Sequence, residues 1–284
     1  ESCVAALLHS FIATLLNVLF NYMLIYGKLG APALGLNGAG IATLMARVLM
    51  FLIMIWWIKR KLDGFQWKYQ WSGIKELLRI GLPSGLQYVF EVGAFATAAI
   101  MVGWISAEAL AAHNIALNLA AISYMAATSL AAASTIRIGN QMGLKDKQNL
   151  RIAGFTSFAL VAGFMAICGL LFISLRHVLP ALYIEDEVVQ ITAASLLIIA
   201  AAFQISDGLQ AVGLGVLRGL TDVRVPTIVT FIAYWIIAIP AGYWFAFNEG
   251  YGVQGVWYGL SIGLTISGVL HIWRFNRLSN RLSF

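Results

Sequence analysis

Ile191-Thr-Ala-Ala-Ser-Leu-Leu-Ile-Ile-Ala-Ala-Ala-Phe-Gln-Ile-Ser-Asp-Gly-Leu-Gln-Ala-Val-Gly213 is one long apolar segment with a single charge, Asp207, inside it. A second such segment, Gly81-Leu-Pro-Ser-Gly-Leu-Gln-Tyr-Val-Phe-Glu-Val-Gly-Ala-Phe-Ala-Thr-Ala-Ala-Ile100, encloses Glu91. Runs of about twenty apolar residues without alternation suit helices that cross a bilayer. Only helices or closed barrels satisfy every backbone group in lipid, and the lack of alternation excludes a barrel. A charge at the bilayer centre costs roughly 2.5–3.5 kcal/mol on insertion scales. Two acids kept at that cost mark Glu91 and Asp207 as candidates for a cation or proton site.

Working outward, the whole chain fits this reading. It has 284 residues, 61% hydrophobic and 11% charged, with a mean hydropathy of +0.84. Soluble domains average about 25% charged. Eight spans are predicted, at about 4–26, 37–58, 80–103, 110–133, 152–174, 189–217, 226–247 and 253–275. Fifteen Lys and Arg fall in one alternate set of loops and the tail, two in the other set, and Arg47 lies in a span. The positive-inside rule makes the basic side cytoplasmic. The net charge of +6 is therefore a topology signal, and no nucleic-acid partner is expected. Trp56, Trp57, Trp104, Trp244, Trp257 and Trp273 fall near span ends, where an interfacial aromatic belt is expected.

Residues 59–79 form the longest polar stretch, basic and interleaved with aromatics. They are expected to form an amphipathic linker on the cytoplasmic membrane surface. An internal repeat crosses this boundary. Gly35-Leu-Asn-Gly-Ala-Gly-Ile-Ala42 aligns with Gly252-Val-Gln-Gly-Val-Trp-Tyr-Gly259, and without gaps Trp56 meets Trp273 and Arg60 meets Arg277. Six spans separate the copies, an even number, so both face the same way. That is a parallel repeat, a recurring transporter architecture. The implied unit is six spans, and about four further spans are expected before Glu1.

Helical spacing stacks Gln87 on Glu91, Phe203 on Asp207, and Asn17 on Asn21. The Asn pair and Thr43 serve either a polar site or interhelical hydrogen bonds. Arg47 is open between a structural and a functional role. Pro83 and Pro240 lie inside spans and can kink them. The many Gly and Ala residues permit close helix packing. The two cysteines and four histidines lack metal-ligand spacing. No His-Glu-x-x-His, Gly-x-Ser-x-Gly or Walker lysine loop is present. An enzyme is not expected, nor is a cofactor; an ion gradient is the expected energy source, unless a separate subunit supplies ATP.

At these residues the chain resembles the multidrug and toxic compound extrusion (MATE) transporters, most closely their NorM-like bacterial branch. The matches are Asn21-Tyr-Met-Leu-Ile-Tyr-Gly27, Gly81-Leu-Pro-Ser-Gly-Leu-Gln87 followed by Glu91, and Ala111-Ala-His-Asn-Ile-Ala-Leu-Asn118. They continue with Thr135-Ile-Arg-Ile-Gly139, Asp207 through Gly219, and Thr221-Asp-Val-Arg-Val-Pro226. The resemblance implies an all-α, polytopic membrane bundle of two six-helix lobes, of which this chain carries spans five to twelve. Residues 1–58 would be the last two helices of the N-lobe, 59–79 the linker, and 80–284 the C-lobe with a short basic tail. It implies export of amphipathic, often cationic compounds in exchange for Na+ or H+ at a bacterial inner membrane. Glu91 and Asp207 match the family's C-lobe cation-site acids. Phe203 stands where the family has a tyrosine, so one oxygen ligand is lost. Asn17, Asn21 and Thr43 match N-lobe polar positions, while Gln87, Phe203 and Asn118 are expected around the cavity. The expected surroundings are lipid, the small substrates and the preceding helices of the same protein. Rival readings are a flippase for a lipid-linked precursor, whose cavity would be cationic, and a membrane-embedded enzyme acting through the two acids.

Overall fold

The computed structural model describes residues 2–61 and 71–283, with side chains from residue 11 onward except 57, 58 and 61. The helices are α1 (Ser2–Tyr26), α2 (Gly35–Lys61), α3 (Trp71–Gly103), α4 (Ala107–Gly143), α5 (Lys147–Leu175), the short α6 (Val178–Ala181) and α7 (Glu187–Gly219). They end with α8 (Arg224–Asn248) and α9 (Gly252–Arg281). Among the described residues seven helices, α2 to α5 and α7 to α9, are long and apolar enough to cross a bilayer, and Phe11–Tyr26 of α1 is a shorter apolar stretch. Together these match the eight predicted spans, and the chain is a multi-pass membrane protein.

Helix boundaries depart from the predicted spans. Lys59–Lys61 continue α2 and Trp71–Arg79 open α3, so both ends of the expected linker belong to the flanking helices. The rest of it, 62–70, lies outside the described residues. Proline did not break either span. α3 runs through Pro83, and α8 absorbs Pro240 between two π-wound stretches, Ile232–Ala238 and Trp244–Asn248. A π turn shifts hydrogen bonds to i→i+5, which accommodates a missing donor. The aromatic belt also needs one correction. Trp56, Trp104, Trp244 and Trp273 are exposed, but Trp257 is buried, because its indole N–H finds a partner in His113 Nδ1 at 3.0 Å. The side chain of Trp57 lies outside the described set.

The chain divides into two compact units, Glu1–Gln70 and Trp71–Phe284. In the first, α1 and α2 pack as a pair. In the second, α7 is central and packs against α4, α5 and α9. Side-chain N-caps start α4, α5 and α7 at the turns. Ser106, Asp146 and Asp186 each accept the backbone N–H three residues on, at 3.0, 2.9 and 3.0 Å.

The core of the second unit is split. One apolar cluster holds Ala94–Val102 residues of α3, Ala109–Ala120 of α4, Val189–Phe203 of α7 and Val253–Leu264 of α9. The other holds Ala127–Ile138 residues of α4, Leu150–Met165 residues of α5, Ala211–Leu217 residues of α7, Leu220 just past it and Phe275 of α9. Between them along the same helices lie buried Gln87, Glu91, Ser123, Gln204, Asp207, Gln210, Ser267 and His271. On α4, α7 and α9 a polar layer thus lies between the two apolar clusters, with further buried polar groups, among them His113, Ser134 and Gln141, outside it.

The repeat has a physical counterpart in each unit. Gly35 and Gly252 start α2 and α9 with φ of +55° and +56°, a conformation that favours glycine. Three residues on, a Cβ on Gly38 would lie 2.4 Å from Leu24 O, and one on Gly255 would lie 2.5 Å from Phe245 C. Arg60 sits over Trp56 at 4.4 Å and Arg277 over Trp273 at 5.3 Å.

The closest helix approach supplies a prediction. A Cβ on Gly259 would meet the Gly242 backbone N at 2.3 Å, so α8 and α9 must separate to admit it. Gly259→Ala should cost about 1–3 kcal/mol as overpacking and lower the melting temperature of the purified protein. Gly163→Ala on α5, where a Cβ meets nothing within 4 Å, should be neutral or stabilising by up to about 1 kcal/mol. Equal melting of G259A and the parent would contradict this packing.

Candidate cation site

The site is assembled by α3, α4 and α7. α3 brings Gln87 and Glu91 one turn apart on its buried face, and α7 brings Asp207. Glu91 is 6% and Asp207 5% exposed. Both line one cavity of about 180 Å³, whose other walls include Phe95, Leu117, Tyr124 and Phe203. Two carboxylates lining one small apolar cavity repel each other when both are charged. Like charges held in an apolar cavity are stabilised by a cation or a shared proton between them.

Tyr124 completes the group. Its phenol donates a hydrogen bond to Glu91 Oε1. Asp207 has no hydrogen bond among the described residues. The donor set offered to a cation is therefore all oxygen: two carboxylates and a phenol. Oxygen sets suit hard cations. Gln210 also neighbours Glu91, though its Nε2 makes no ordinary hydrogen bond. Its Oε1 instead accepts from Tyr234 at 2.9 Å.

A second cavity of about 230 Å³ adjoins the first. Tyr88, Glu91 and Tyr124 line both, so the Tyr124–Glu91 pair stands at the partition. The second cavity extends past Ser84 and Gln87 to Arg218 at the basic end of α7. α3 is held there by a polar clasp to α8. Gln87 Nε2 donates to Val223 O and Thr227 Oγ1, both at 3.1 Å. The Thr227 hydroxyl donates to Val223 O at 2.7 Å and lies 3.1 Å from Pro83 O. Farther along, Trp235 Nε1 donates to Phe90 O at 3.0 Å.

The expected residues divide accordingly. Glu91, Asp207 and Phe203 share the first cavity, and Gln87 lines the second with its amide nitrogen committed to α8. Phe203 stacks on Trp257 with ring centroids 5.5 Å apart. Asn118 does not join them: it is exposed and its amide turns back to Asn114 O at 3.0 Å. In the first unit, Asn21 donates to Asn17 Oδ1 at 3.0 Å, and Thr43 to its own helix at Ala39 O. Asn17, Thr43 and Arg47 line one cavity of about 160 Å³, which gives Arg47 polar neighbours within its own unit. Sequence reading missed Tyr124 and Tyr88. Tyr88 stands one residue from Gln87 in the quoted Glu91 stretch. Tyr124 meets Glu91 only across helices, so no spacing along the chain reveals it.

Comparison with known proteins agrees with this architecture. The MatE family model matches residues 83–244. The chain is 39% identical to "Probable multidrug resistance protein NorM" of Mesorhizobium japonicum, over 96% of this chain and 61% of that protein. It is 38% identical to "Multidrug resistance protein MdtK" of Photorhabdus laumondii, over 92% and 60%. The chain thus spans about three-fifths of the length of these curated relatives. Among solved structures it superposes on "Crystal structure of MATE in the straight conformation" with a TM-score of 0.88 at 19% identity, covering 97% of this chain and 62% of that one. It matches the eukaryotic MATE transporter AtDTX14 with a TM-score of 0.83 at 20% identity, over 96% and 63%. These structures share the fold. The matched family model and the relatives together establish that the chain belongs to the MatE family, the MATE transporters.

Proposed function

We propose that the intact protein exports amphipathic, often cationic compounds in exchange for Na+ or H+ by alternating access. The observation that carries this reading is the pair of buried acids sharing one apolar cavity with the Tyr124 phenol. Such a site has a reason to exist where a cation repeatedly enters and leaves. The names of the relatives, multidrug resistance proteins, point the same way. In this reading residues 1–58 supply the last two helices of the N-lobe and 80–284 the C-lobe. The basic ends of the helices face the cytoplasm of a bacterial inner membrane.

The mechanism is a linkage. A cation or proton at Glu91 and Asp207 relieves their repulsion and favours one lobe arrangement. The drug favours the other. Each must bind the two arrangements with different affinity, or no energy is exchanged. The aromatic walls suit loose substrate choice, since they impose few directional contacts.

Four variants test this. In vesicles containing the intact protein, Glu91→Gln and Asp207→Asn should each reduce ion-driven efflux of a fluorescent cation at least about tenfold, with membrane insertion intact. Wild-type efflux in both would refute the assignment. Tyr124→Phe removes a hydrogen bond to a charged group, worth about 1.5–3 kcal/mol. It should raise the half-saturating concentration of the coupling cation about tenfold or more. Phe203→Tyr should lower it by returning an oxygen one turn from Asp207. No change in cation dependence for either would remove the phenol from the site.

A further inference from the structure

Three basic side chains border one cavity at the basic end of the second unit, apart from the acid pair. The cavity, of about 700 Å³, lies between the start of α3 and the turn from α7 to α8. Lys75, Glu76 and Arg79 line it from α3, and Thr221, Asp222 and Arg224 from the turn and the first residue of α8. Lys75, Arg79 and Arg224 are exposed and form no ion pair among the described residues. Of the two acids, Asp222 is taken by Arg274, at 2.8 and 3.4 Å. Glu76 alone is left against three cations. Like charges around one space repel, and an anion between them relieves the repulsion.

The adjoining surface tells which anion. Lys75, Arg79, Leu82 and Leu86 recur at steps of four and three residues, so they share one face of α3. Arg224, Ile228 and Phe231 do the same on α8. Leu82, Leu86, Ile228 and Phe231 are all exposed. The two helices touch where Phe90 meets Phe231, with ring centroids 5.0 Å apart. Seven residues of helix, about 10 Å, separate Arg79 from Leu86 and Arg224 from Phe231. Each stripe therefore opens on cations at the basic end and continues into the span as exposed apolar surface. Tyr88 and Glu91, which line the cation cavity, lie on a different face of α3. Lys75 also stands over the Trp71 ring at 5.9 Å, a pairing that suits a membrane interface. A dissolved anion would use only the cations, whereas a lipid uses the cations and the apolar stripes together. In the topology proposed above this end meets the cytoplasmic leaflet, whose anionic lipids attract basic pockets between helices.

We propose that this cavity holds the phosphate of an anionic phospholipid, bound by Lys75, Arg79 and Arg224, with its acyl chains along Leu82, Leu86, Ile228 and Phe231. Guanidinium groups suit the phosphate because they present forked N–H donors. A zwitterionic lipid brings its own cation and leaves the excess positive charge of the lining in place. One anionic lipid bridges α3 to the start of α8. The same elements are already joined by Gln87 Nε2, which donates to the carbonyl of the cavity-lining Val223 at 3.1 Å. The bound lipid therefore braces the helix that carries Glu91. This lipid site requires the membrane setting but not ion exchange.

The test is the thermal stability of the purified intact protein in detergent. It is titrated with phosphatidylglycerol, with phosphatidylethanolamine of the same chains, or with glycerol phosphate, which carries the charge without the chains. Phosphatidylglycerol should protect at a half-saturating concentration at least about tenfold below that of phosphatidylethanolamine, the scale of several basic residues meeting one anionic lipid. Glycerol phosphate should not protect at that concentration. The K75Q/R79Q/R224Q variant should lose the preference, and R79Q and R224Q alone should each weaken it about threefold or more. R137Q/K145Q/R281Q removes three charges that do not border the cavity and should keep the preference of the parent. Equal half-saturation by the two phospholipids in the parent, a comparison that needs no variant, would overturn the site. So would a preference kept in K75Q/R79Q/R224Q, or one lost equally in R137Q/K145Q/R281Q. Protection by glycerol phosphate as strong as that by phosphatidylglycerol would mean a soluble anion and would overturn the lipid.

Discussion

A bundle that buries two acids at mid-height must build everything else around them. In lipid there is no water at the surface to solvate a misplaced charge, so the helices themselves must enclose it. The structure does this by dividing one core into two. Apolar side chains fill the halves toward each end of α4, α7 and α9, and hydrogen-bonding groups occupy the middle. Glu91 and Asp207 sit in that layer, with Tyr124 donating to Glu91.

Close helix contact keeps the layer enclosed. α7 approaches α4 through Gly215, where a Cβ would lie 2.4 Å from Ala131 O, and Thr135 Oγ1 donates to the Gly215 carbonyl at 2.8 Å. α3, which carries Glu91, is tied to α8 through the Gln87–Thr227 clasp and the Trp235–Phe90 bond. On the far side, His113 fixes Trp257 and Trp257 stacks on Phe203, so the wall behind Asp207 is itself anchored by a hydrogen bond. The acids therefore sit on helices braced from two directions. At the basic end, Arg274 pairs with Asp222 at 2.8 Å and Lys147 donates to Asn280 O and Leu282 O, closing the ends of α5, α7 and α9 together.

Much of this was legible from residue order. Apolar runs of bilayer length gave the helices, loop charges gave their alternation, and the cost of a lone charge singled out Glu91 and Asp207. The Gly-x-x-Gly starts at 35 and 252 gave the repeat, because a left-handed start and a close approach both demand glycine. What was not legible depends on contacts between helices. Tyr124 reaches Glu91 across 33 positions. Trp257 looked interfacial until His113 supplied a partner for its N–H. Asn118, expected around the cavity, points to its own helix. The π turns around Pro240 are a backbone adjustment that no hydrophobic period records.

The central claim is that the acid pair links cation binding to drug binding. Its most direct measurement is the equilibrium affinity of the purified intact protein for a fluorescent organic cation, taken across pH and Na+ concentration. The comparison is with the E91Q/D207N double variant. The account predicts that drug affinity in the parent falls about tenfold or more as one of the two ions is raised, and that the double variant shows a flat response. The same ion dependence in the parent and the double variant would contradict it.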